Sequence, residues 1–112
     1  MKELIQKLRE FATERDWDQF HSPKNLIMAL SVEVSEIVEI FQWLTEEESY
    51  KLNSDKLEKV TEEIGDVLIY LVMFADKFGI DPIQAAKDKI EKNRKNYPAN
   101  VARGIAKKYK EL

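Results

Sequence analysis

The sequence contains no cysteine, which removes disulfide cross-links and thiolate chemistry from consideration. It contains one histidine, His21. The paired Glu-x-x-His motifs that hold di-iron in helical bundles therefore cannot be assembled. Glycine and proline number three each and sit at punctuation points. No apolar run reaches the ~20 residues needed to span a bilayer, and the opening MKELIQKLRE is too polar for a signal peptide. These absences lead to the expectation of a soluble, cytoplasmic protein with no membrane partner. A basic excess is missing as well: 18 Lys and Arg stand against 21 Asp and Glu, a net charge of −3. That balance gives no general attraction to nucleic acid.

The 112 residues are 44% apolar and 35% charged, ordinary for a folded domain, and short enough that one domain over 1–112 is expected. Long thin helices in so small a chain bury a modest fraction of their surface, so a second copy would help to stabilise it. Charge is unevenly placed. Residues 86–110 carry Lys87, Lys89, Lys92, Arg94, Lys95, Arg103, Lys107, Lys108 and Lys110 against Asp88 and Glu91. A phosphate-rich small molecule suits this split, and so does a solvated basic tail.

Apolar residues recur with helical spacing almost throughout. Leu4, Ile5, Leu8, Phe11 and Ala12 define a first helix over about 2–16. Ser22-Pro23 starts a second, with Ser as cap and Pro in the first position, running to about Trp43. Thr45 and Glu48 form a capping box for a short helix or turn. A further helix runs from Ser54 or Asp55 to Phe78, with Gly79 placed to end it in the left-handed conformation. Asp81-Pro82-Ile83-Gln84 starts the last main helix, which must stop at Tyr97-Pro98. Residues 99–112 are expected to be irregular or to add one short turn. Nothing alternates with period two for long and no tight hairpin signal occurs. The fold class is therefore all-α: four main helices in an antiparallel bundle, with short extra helical turns.

The informative residues are acids set into apolar helix faces. Glu33 and Glu36 lie among Val32, Val34, Ile37 and Val38. Glu63 and Asp66 repeat the i, i+3 spacing, and Asp66 opens the run Val67-Leu-Ile-Tyr-Leu-Val-Met-Phe74. Three residues apart, two side chains lie roughly 60° apart around the axis and can point at one spot. An unpaired carboxylate there is costly. Two such pairs become acceptable if they share a hard cation, and magnesium takes a few carboxylates together with substrate phosphates and water. Such a metal neutralises phosphate charge and activates water. The competing explanation, acids on solvated helix faces, is common in Glu-rich chains.

Glu33-Val-Ser-Glu36, followed 30 positions later by Glu63-Ile-Gly-Asp66, resembles the Glu-x-x-Glu … Glu-x-x-Asp signature of the MazG-like all-α nucleotide pyrophosphohydrolases. The flanks Glu14-Arg-Asp-Trp-Asp-Gln-Phe-His21, Pro23-Lys-Asn-Leu26, Phe41-Gln-Trp43, Asp66-Val-Leu-Ile-Tyr-Leu71, Asn93-Arg-Lys-Asn-Tyr-Pro98 and Lys108-Tyr-Lys-Glu-Leu112 are similar to the dCTP pyrophosphatase branch of that family. The resemblance implies Mg²⁺-dependent cleavage of a nucleoside triphosphate, such as dCTP or a related nucleotide, to the monophosphate and pyrophosphate, with Mn²⁺ as a substitute ion. It implies metal ligands at Glu33, Glu36, Glu63 and Asp66, and a homo-oligomer, dimer or tetramer, with sites near subunit boundaries. One departure stands out: the branch carries a first-helix histidine where this chain has Leu8.

Around that core, Trp43 lies seven residues after Glu36 on the same helical face, and Tyr70 lies one turn beyond Asp66. Trp17 and His21 fall in the loop between the first two helices. With the resemblance, Trp17, Trp43 and Tyr70 are assigned to the substrate, and His21 to a structural or stacking role beside it. Phe11, Phe41, Phe74 and Phe78 are assigned to core packing. Lys89, Asn93 and Tyr97 form an i, i+4, i+8 row, Lys89 suited to a phosphate and Asn93 to a hydrogen bond, with a solvated face as the competing explanation. Glu36 is the candidate for orienting the attacking water. The alternative function is a helical nucleotide-binding or protein-interaction module without catalysis.

Overall fold

A computed structural model describes residues 1–106; the lysine-rich 107–112, with the resemblance at Lys108–Leu112, lies outside the described residues. The chain is all-helical, with no strand among those residues: α1 Lys2–Glu14, α2 Pro23–Phe41, α3 Glu46–Ser49, α4 Ser54–Asp76, α5 Pro82–Asn96 and α6 Ala99–Ala102. One 3-10 turn, Asp18–Phe20, lies between α1 and α2. No helix among the described residues is long and apolar enough to cross a membrane. The helices group into two compact units, residues 1–80 and 81–112.

Local chemistry sets the element ends. The Ser22 side chain accepts from Asn25 N–H at 3.1 Å and Pro23 occupies the first helical position, where its missing N–H is no loss. Thr45 and Glu48 form both bonds of the capping box, at 3.1 and 2.9 Å. The bond from the Thr45 backbone N–H, and after it one from the Thr45 side chain, hold the Glu48 carboxyl below its usual range. Asn53 caps α4 through Lys56 N–H at 2.9 Å. In the second unit, Asp81 caps α5 through Ile83 and Gln84. Arg94 and Lys95 sit in the last turn of α5, where cations complement the helix dipole. The short turn anticipated after Pro98 is α6.

In the first unit α2 and α4 form the principal packing, and α1 lies on α4. The buried apolar core is thin: Ala12 from α1, Leu26 from α2, Val72 and Ala75 from α4. A bidentate ion pair adds to the α1–α4 join. Arg9 donates from Nε to Asp76 Oδ2 at 2.9 Å and from Nη2 to Oδ1 at 2.6 Å. This forked geometry is the stronger form of such a pair.

Two stability predictions follow from this arrangement. Leu26 is 1% exposed, so Leu26→Ala should destabilise the fold by about 2–5 kcal/mol in denaturant titrations. Arg9 holds the Asp76 carboxyl below its usual range, chiefly by hydrogen bonding. A lowered acid contributes stability above its unfolded pKa of about 3.9 and loses it as pH falls through the lower folded value. The Tm difference between wild type and Asp76→Asn should therefore be largest near neutrality and vanish in strong acid.

Candidate metal centre

The packing of α2 on α4 brings the acids together at mid-helix. One carboxylate oxygen from each of Glu33, Glu36 and Glu63 lies within 4.8 Å of the other two. Glu36 hydrogen-bonds to Glu63, and Glu33 feels the charge of Asp66; rising numbers on one helix meet falling numbers on the other, as in an antiparallel pair. Glu63 is 5% exposed, while Glu33, Glu36 and Asp66 are half-buried.

Electrostatics here are unfavourable for the bare carboxylates. Hydrogen bonding to Glu36, then burial, then Glu33 push the Glu63 carboxyl up to about 7. Burial raises the Glu33 carboxyl most; a hydrogen bond with Glu63 works the other way, and Glu36 and Asp66 raise it further. Oxygens Glu33 Oε2 and Glu63 Oε2 are buried without a hydrogen-bond partner. Buried oxygen acceptors lacking donors, with like charges beside them, are what a hard divalent cation satisfies. The donor set fits magnesium or manganese, with Glu33, Glu36 and Glu63 as the group that would hold it. Asp66 falls outside that tight group and faces a pocket next to it.

That pocket has a volume of about 330 Å³ and is walled by Leu8 and Phe11 of α1, Trp17 and His21 of the following turn, and Asp66 and Tyr70 of α4. It lies at the small end of the range for small-molecule sites. Trp17 meets Phe11 edge-on at 5.6 Å and His21 at 6.3 Å. Three of the anticipated substrate residues, Trp17, His21 and Tyr70, thus line one pocket together with the Asp66 carboxylate. Trp43 is 87% exposed beyond the end of α2. Lys89 and Asn93 are exposed on α5, and Tyr97 caps its C-terminus, its N–H donating to Asn93 O at 2.7 Å; all three belong to the second unit.

Much of the apolar pocket wall went unrecognised in the sequence. Phe11, assigned to the core, is 46% exposed and stands in the pocket wall. Leu8, noted as an apolar position of the first helix and as a departure from a family pattern, is here a lining residue, with Ile69 and Met73 from α4. Phe78 is likewise 56% exposed, in edge contact with Phe74 at 5.4 Å.

A sequence model described as the MazG-like family matches residues 28–112. The chain belongs to the MazG-like family. Among curated MazG-like relatives, it is 47% identical to a Homo sapiens protein named dCTP pyrophosphatase 1, over 92% of this chain and 62% of that protein. A Mus musculus protein of the same name is 46% identical over the same shares. The chain therefore spans less than two thirds of the length of these relatives. The crystal structure of a pyrophosphatase from Archaeoglobus fulgidus is 46% identical, with a TM-score of 0.82 over 88% of this chain and 92% of that one. The acids Glu33, Glu36 and Glu63 thus sit in a fold shared with a solved pyrophosphatase.

Metal binding should be linked to protons here. With Glu63 raised to about 7, the folded metal-free protein holds a proton that the unfolded chain, near 4.3, has released. That proton's contribution to stability is full below the unfolded pKa and lost as pH rises through about 7. The metal-free Tm should fall between pH 5 and pH 8, and Mg²⁺ should restore more of it at pH 8. Calorimetry in buffers of different ionisation enthalpy should show proton release on Mg²⁺ binding at pH 6 that fades toward pH 9.

Proposed function

We propose that this chain is a divalent-metal-dependent nucleoside triphosphate pyrophosphohydrolase, acting on dCTP or a related nucleotide and releasing the monophosphate and pyrophosphate. The observation that carries the reading is the juxtaposition of a three-carboxylate cluster with a pocket walled by Trp17, His21 and Tyr70. One element suits the ion that accompanies a triphosphate, the other a planar base. Relatives named dCTP pyrophosphatase supply the substrate class.

Glu33, Glu36 and Glu63 would hold Mg²⁺, with Mn²⁺ as a substitute, and Asp66 joins them from the pocket side. The ion, when bound, neutralises phosphate charge and lowers the pKa of coordinated water. Glu36 orients the attacking water and accepts its proton. The water oxygen bonds to phosphorus as the bond to the leaving phosphate breaks, and pyrophosphate departs with the electron pair. Trp17 and Tyr70 grip the base by stacking and edge contacts. Leu8 and Phe11 keep that end of the site apolar, which excludes water from the bound base.

A homo-oligomer is part of the proposal. Ile27, Val34 and Val38 form a stripe on α2, and Leu57, Ile64 and Leu68 one on α4, each residue between 42% and 56% exposed. A second copy of the chain would cover these faces. An added Cβ at Gly65, in the middle of α4, would meet nothing within 4 Å, so the chain's own packing does not demand glycine there.

The decisive assay follows pyrophosphate and orthophosphate separately over a panel of nucleoside triphosphates with Mg²⁺. Pyrophosphate without orthophosphate is expected, and Glu63→Gln or Asp66→Asn should lower turnover by more than about 100-fold with helical circular dichroism unchanged. Full activity in both variants would remove the metal assignment. Nucleotide binding without cleavage, under Mg²⁺ and Mn²⁺ alike, would mark a non-catalytic module instead.

A further inference from the structure

Between α1 and the pocket wall the backbone reverses within two residues. Asp16 N–H bonds to Thr13 O at 3.1 Å and Trp17 N–H to Ala12 O at 2.9 Å. The end of α4 shows the same paired pattern, Gly79 N–H to Asp76 O at 3.2 Å and Ile80 N–H to Ala75 O at 3.0 Å. This paired closure requires a left-handed residue at its centre. After α4 that residue is Gly79, with φ 66°; after α1 it is Asp16, with φ 53°, the one non-glycine with positive φ among the described residues. Aspartate is among the few side chains that tolerate this region. Gln19 Nε2 ties it down, donating to Asp16 O and Asp16 Oδ2, both at 3.0 Å.

The next residue is Trp17. Its backbone is pinned to Ala12, and its ring meets Phe11 edge-on at 71°. The Phe11 face is in turn covered by the Arg15 guanidinium, 3.7 Å from the ring centroid. Asp16 does not line the pocket; Trp17 does.

We propose that Asp16 is a positioning residue for nucleotide binding: its left-handed backbone sets Trp17 as the wall of the pocket beside Asp66. The inference rests on the nucleoside reading of that pocket. Because Asp16 acts through Trp17 and not on the phosphates, losing its left-handed conformation changes KM and leaves kcat in place. The backbone conformation, not the carboxylate charge, carries the effect.

Three variants separate these possibilities: Asp16→Gly and Asp16→Asn keep a residue at home in the left-handed region, and Asp16→Ala does not. Pyrophosphate release from dCTP with Mg²⁺, measured well below each Tm, should give KM within about twofold of wild type for the Gly and Asn variants. The Ala variant should raise KM roughly three- to tenfold at near-constant kcat. The chain has two tryptophans, so 5-fluorotryptophan labelling gives two ¹⁹F resonances, assigned with Trp17→Phe. The Trp17 line should shift or broaden in Asp16→Ala only. An Ala variant with wild-type KM and spectrum overturns the proposal. So do Gly or Asn variants as impaired as Ala, since the carboxylate itself would then matter. If the wild type turns over no nucleotide, the hydrolase reading fails separately. Titration with the α,β-methylene analogue of dCTP, followed on the Trp17 line, still decides: binding three- to tenfold weaker in Asp16→Ala than in wild type supports positioning. Equal affinity, or no response of Trp17 at saturation, overturns it.

Discussion

The mutual repulsion of Glu33, Glu36 and Glu63 is the constraint around which the first unit is arranged. Their oxygens converge within 4.8 Å at the place where two packed helices would ordinarily bury leucine. The fold tolerates this by favouring the protonated form of Glu63, whose carboxyl is pushed up to about 7, and by leaving Glu33 and Glu36 half-exposed. A cation removes the conflict, because it attracts all three oxygens at once where each pair of carboxylates repels. Such a cluster costs the fold stability when bare and would return it on holding a cation, a common relation between a functional centre and its scaffold.

Such a centre must be held by something else. The core contributes Leu26 from α2 and Val72 from α4, each 1% exposed. The remaining support comes from α1, through Ala12 and the Arg9–Asp76 fork. That fork has a second consequence. A small cavity of about 40 Å³ beside it shares Leu8 and Met73 with the larger pocket. The contact that fixes α1 on α4 therefore also fixes one wall of that pocket, and the acid cluster and the pocket both draw on the same helix, α4.

What could be read in the sequence divides along the line between local and distant contacts. The acid pairs were legible because i, i+3 spacing determines their direction without knowledge of the partner helix. The caps at Ser22, Thr45, Asp81 and Gly79 were legible for the same reason: each closes within five residues. Helix ends were placed one or two residues long. The first helix reaches Glu14 and not 16, because the left-handed Asp16 closes it, and aspartate gives no signal comparable to glycine in that role. Asp66 was grouped with the other acids by its spacing, its apolar setting and the family signature. Its position one step outside the tight cluster depends on how α4 rotates against α2, which no single-helix pattern encodes.

The pocket was the less legible half. Phe11 has the spacing of a core residue on α1, and periodicity cannot distinguish a face that meets another helix from one that meets an empty pocket. Both are apolar, and both repeat every three or four residues. The difference lies in what stands opposite. Tyr70, Ile69 and Met73 of α4 hold their side of the pocket open, and the turn at Asp16 brings Trp17 across the end. A site with one charged half and one apolar half will in general be half visible from sequence. Its charges break the apolar pattern of their helix, whereas its apolar wall continues the pattern that builds the core.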